Sequence, residues 1–137
     1  MKTVVTLIFI ALFNGFLFAQ VQNADKISEV YGQERMTQWS NENPSLITLM
    51  DKYISYGFMV KNVSEGKYSE FVPIETVPLN DKEGGSVSVA EFLEDFQSDN
   101  FNPLKYKFFP QKDFQIYKLD GVDAIIYILP QDIILSK

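Results

Sequence analysis

The sequence predicts an α+β domain, with N-terminal helices and one mid-chain helix packed on a mostly antiparallel sheet. Three observations predict it. Apolar side chains recur at helical spacing between residues 25 and 56, and they alternate with polar ones between residues 104 and 129. Between the two stretches, Ser88-Val89-Ala90-Glu91 is a written helix start.

The first nineteen residues stand apart from this domain. Lys2 precedes an apolar run, Val4 to Phe18, and the small Ala19 precedes Gln20. That is the order of a secretory signal peptide, and it resembles those of Gram-negative exported proteins. The run, which Asn14 and Gly15 interrupt near its end, is shorter than the roughly 20 residues that span a bilayer as a helix, which argues against a retained anchor. Cleavage is expected between Ala19 and Gln20, although Leu17 is larger than ideal for its position before the cut. No Cys follows the run, so the lipid-anchored kind of export signal does not apply. The mature chain, Gln20 to Lys137, then has 137 − 19 = 118 residues, one small domain with no stable membrane insertion of its own.

Composition narrows the destination and the partners. The chain has no Cys, so packing must hold it without disulfides. An exported, cysteine-free domain fits a bacterial periplasm or cell surface better than a eukaryotic secretory pathway. Under that reading the sequon Asn62-Val63-Ser64 is a coincidence of composition. Loss of Lys2 leaves 11 − 18 = −7 as the net charge. That charge repels nucleic-acid phosphates and anionic lipid heads at long range.

The elements follow in order. Ile27, Val30 and Tyr31 share a helical face, and Gly32 bends the chain before a second short helix to about Trp39. Asn43-Pro44 opens the next helix, about residues 44–56: Asn is a good N-cap and Pro suits the first position. Leu46, Leu49, Met50 and Tyr53 form its stripe, and Gly57 is expected to end it as a C-cap glycine. Phe58 to Val63 alternates as a strand, and residues 64–67 form a turn. Pro73 and Pro78 make Tyr68 to Leu79 an edge strand at most. Residues 80–85 are a surface loop.

Ser88 and Glu91 form a capping box, with Val87 and Phe92 as its hydrophobic staple. The helix they start, about residues 89–98, turns Val89, Phe92, Leu93 and Phe96 to one side. A strand from Leu104 to Phe108 follows. Its aromatics, Tyr106 and Phe108, face one way and Lys105 and Lys107 the other, as in a half-solvated strand. A nucleic-acid stacking platform would present both kinds on one face. Phe101 is expected to close the core over Phe96. Phe114 to Leu119 and Val122 to Leu129 are expected to pair across a two-residue Asp120-Gly121 turn, with Leu119 opposite Val122 and Tyr117 opposite Ala124. The second of these strands, apolar on both faces, should be central. After Pro130, residues 131–137 are expected to form a last short strand or a tail lying on the core.

Functional chemistry is sparse. With neither His nor Cys, the chain lacks the residues for His triads, Cys nucleophiles and ordinary zinc sites. No glycine-rich phosphate loop is present. The expectation is a non-enzyme with no catalytic residues, no cofactor and no metal site. Glu91, Glu94 and Asp95 read as a solvated helix face plus a cap. Asp113, Asp120 and Asp123 flank turns, and Asp81 and Glu83 read as surface charge of a loop, with a weak calcium contact as the lesser alternative. Tyr53, Tyr56, Tyr117 and Tyr127 read as amphipathic edges of the core. The leading expectation is an exported accessory domain that binds another envelope protein. The alternatives are a carrier of a small apolar ligand and a small carboxylate-based hydrolase. Candidate docking residues are Ile133, Ile134 and Leu135, acting by strand addition or apolar contact, or else capping their own core.

Overall fold

The computed structural model describes residues 21–62 and 75–137. The expected signal segment, the expected 64–67 turn and residues 68–74 of the expected edge strand lie outside them. The architecture is α+β. Two compact units divide the chain after Asp51.

The first unit is helical. Helix α1 spans Ala24–Tyr31 and α2 spans Gln33–Glu42, separated by Gly32 at φ 87°, a conformation costly for any residue with a Cβ. Ile27 and Met36 are fully buried. The rings of Tyr31 and Trp39 meet edge-on at 5.1 Å, with the Arg35 guanidinium 5.7 Å above Trp39. Helix α3, Pro44–Lys52, begins as expected: Asn43 Oδ1 accepts from the Leu46 amide at 3.3 Å. The start of α1 is tied to the end of α3, because Asp51 Oδ1 accepts from both the backbone amide and the side-chain amide of Asn23, at 2.8 and 2.9 Å.

The second unit holds the sheet. A π-helical turn, Tyr53–Gly57, leads directly into β1, Phe58–Asn62. With β2 (Glu75–Thr76), β3 (Gln115–Lys118) and β4 (Ala124–Ile128), the strand order is β1-β4-β3-β2. All pairs are antiparallel except β2 with β3. The apolar β4 lies inside the sheet, and among the described residues the proline-bearing segment contributes Glu75–Thr76 at its edge, both as expected.

One face of the sheet carries Phe58, Ile126, Ile128, Ala124 and Leu119, all buried. Helix α4, Val89–Phe96, packs on that face: Phe92 is fully buried and its ring lies 6.3 Å from Phe58. Phe101 sits 5.5 Å from Phe58 and 5.0 Å from Phe96, closing the core where expected. Tyr106 packs edge-on against Phe92 at 5.1 Å, and Phe108 lies 5.5 Å from Tyr117.

Three expectations are corrected. Residues 104–108 are not a sheet strand. Pro103–Lys105 forms a 3-10 turn, capped by Asn102 Oδ1 accepting from the Leu104 amide at 3.1 Å. Beyond it the backbone pairs with the 80–82 loop, Lys107 N–H donating to Asn80 O at 3.1 Å. The alternation of facing survives: Leu104, Tyr106 and Phe108 are buried, Lys105 half-buried and Lys107 exposed. Asn102-Pro103 is the same cap-and-proline pair that opens α3 at Asn43-Pro44, and the alternating pattern after it masked the signal.

The hairpin is also looser than a two-residue turn. Lys118 pairs with Ile125 and Tyr117 with Ile126, and the Leu119 amide donates to Ala124 O at 3.1 Å. Residues 120–123 therefore form the loop. A type I′ turn needs positive φ at both central residues. Among the described residues only glycines take positive φ, so Gly121 does and Asp120 does not. Because the register moves by two, every side chain keeps its face. The third correction concerns the C-terminus: Gln131–Ser136 is a helix, α5, not a strand.

Candidate functional site

The region with candidate docking residues is built around α5. Pro130 ends the strand that precedes it and occupies the N-cap position at φ −60°, ψ 151°. Proline offers no side-chain cap. The helix entrance is tied down by Gln131 instead, whose backbone amide donates to Gln111 O at 2.9 Å and whose side-chain amide donates to Pro110 O at 2.7 Å.

The far end has three partners. A helix leaves its last four carbonyls without intrahelical donors. Here Ser136 Oγ donates to Ile133 O at 2.8 Å, Tyr56 Oη to Ile134 O at 2.6 Å and Lys52 Nζ to Leu135 O at 3.3 Å. Lys52 also brings positive charge to the negative end of the helix dipole. Lys137 Nζ lies 5.6 Å from the Tyr56 ring centre.

Ile134 is fully buried. Its side chain lies against Gly57, where a Cβ would come within 2.8 Å of Ile134 Cδ1 and 3.0 Å of Tyr53 Cδ2. Gly57 does not have the positive φ of a C-cap glycine. It is small because the C-terminal helix needs the space. The three docking candidates therefore separate: Ile134 points into the core, Ile133 is half-buried, and Leu135 is 41% exposed.

Tyr53, fully buried, donates from its hydroxyl to Phe108 O at 3.3 Å. Tyr117 donates to Gln115 Oε1 at 2.9 Å. Tyr117 and Tyr56 satisfy their polar tips at the border of the core, whereas Tyr53, expected there too, lies wholly inside it. Tyr127 lies on the opposite face of the sheet from Tyr117, paired with Met59 and Ile116. Lys61 Nζ is 5.2 Å from its ring centre and the Phe114 ring is 5.6 Å away. Phe114 is 48% exposed, an outward aromatic that strand alternation from Phe114 to Leu119 did not single out.

Three of the acidic groups singled out, Glu91, Asp95 and Asp81, accept hydrogen bonds from this unit. Glu91 closes the capping box: its Oε2 accepts from the Ser88 amide at 2.9 Å, and Ser88 Oγ accepts from the Glu91 amide at 3.1 Å. The Ser88 amide, and then its hydroxyl, hold the Glu91 carboxyl below the ordinary glutamate range. Asp95 accepts from the Tyr106 hydroxyl at 2.5 Å. Burial, followed by this hydrogen bond and the charges of Asp95 and Glu91, pushes the Tyr106 hydroxyl well above its ordinary value. Asp81 Oδ1 accepts from the amides of Glu83 and Gly85 at 2.9 and 2.7 Å, so this oxygen organises its own loop. Asp113, Asp120 and Asp123 are exposed around the hairpin. Among the described residues, no three His, Cys, Asp or Glu gather to hold a metal ion, and no helix is long and apolar enough to cross a membrane.

No family model, no curated protein and no solved structure matches the chain.

Proposed function

We propose that the chain is an exported, non-catalytic domain that binds another protein of a bacterial cell envelope. The N-terminal order of Lys2, apolar run and Ala19 supports export to the periplasm or cell surface. Leu135 carries the binding half of the reading. It is a large apolar side chain presented to solvent by a helix whose neighbouring residue, Ile134, is locked in the core. With the backbone already fixed, only the rotamers of the side chain itself remain to be ordered when a partner covers it. Ile133 lies on the same short helix and widens the contact. Apolar docking replaces strand addition as the mode, since α5 offers no sheet edge.

The apolar-ligand carrier is the second reading, and the aromatic load suggests it. Phe92 and Phe101 lie 6.0 Å apart, and each lies 5.0–6.4 Å from both Phe96 and Tyr106, a packing that supports a filled core at that place.

Two measurements test the proposal. Mass spectrometry of the protein recovered from the envelope fraction should find Gln20 as its first residue; an intact Met1 or Lys2 terminus on the mature pool would count against export with cleavage. Leu135→Asp should leave the melt close to wild type, because exposed positions usually change stability by less than about 0.5 kcal/mol. It should abolish recovery of the envelope partner that the tagged wild-type protein captures. Equal recovery by both proteins would remove Leu135 from the interface.

A further inference from the structure

We draw no further inference here: the strongest candidate, the outer face of the four-stranded sheet around Met59, Ile116 and Tyr127 with Phe114 at its border, is a partly exposed apolar face, and nothing in the structure shows what covers it.

Discussion

Helices α4 and α5 are both short, and each sends one fully buried side chain into the second unit, Phe92 and Ile134 respectively. They are specified in opposite ways. Helix α4 carries its own instructions: Ser88 and Glu91 exchange hydrogen bonds at its start, and Phe92 falls at the fourth position. Helix α5 has none. A six-residue helix is far below the length at which isolated helices hold in water. Its entrance is fixed by Pro110 and Gln111, its middle by the space at Gly57, and its exit by Tyr56 and Lys52. Only the exit bond from Ser136 is local. A helix can thus be encoded beside itself or distributed across the fold, and only the first kind announces itself to a reader of the sequence.

Removing each buried anchor gives the largest expected effects. Phe92→Ala should cost about 3–5 kcal/mol and Ile134→Ala about 2–5 kcal/mol, both by denaturant melts. If Ile134→Ala left the midpoint unchanged, α5 would not be part of the cooperative core, and the comparison with α4 would fail.

Gly57→Ala sharpens the contrast, because it touches α5 without changing α5. The added Cβ meets Ile134 Cδ1 and the Tyr53 ring. Overpacking of this kind typically costs about 1–3 kcal/mol. Pairing it with Ile134→Val, which removes Cδ1, should recover part of the loss in a double-mutant cycle. Strict additivity would mean that Gly57 and Ile134 do not share the space the structure gives them.

The capping box gives the smallest effects. Ser88→Ala should cost about 1 kcal/mol. For Glu91 the sign follows from its lowered folded-state value. Its contribution is present above the ordinary glutamate value, about 4.3, and is lost as pH falls through the lower folded value. The stability gap between wild type and Glu91→Gln should therefore close on acidification below about pH 4. A gap that stayed constant from neutral to acid pH would mean that the Glu91 charge plays no part in the cap.

The fold class was legible in the sequence because two of its helices carry local start codes and its strands carry a two-residue alternation. Asn43-Pro44 and Ser88–Glu91 satisfy helix-start amides within three residues of themselves, so they act before any tertiary contact exists. The inward and outward alternation of residues 104–108 and 115–119 also survived, even where the strand became a turn or the register moved by two. Facing depends only on a two-residue period. Register depends on the loop, and Asp120 did not adopt the positive φ that a two-residue turn demands. The candidate docking site was only partly legible. The run Ile133-Ile134-Leu135 was visible as an apolar end, but nothing adjacent in sequence says which of the three turns inward.

By itself, then, the sequence determined the composition of the chain, its helix starts, and the face of most strand residues. The tertiary structure decided the rest. It made Gly57 a packing glycine, turned the end of the chain into a helix, and left Leu135, not Ile134, facing solvent. The reason is the range of the forces involved. Caps and side-chain alternation are settled within a few residues, whereas the space beside Gly57 exists only when residues 57 and 134 have met.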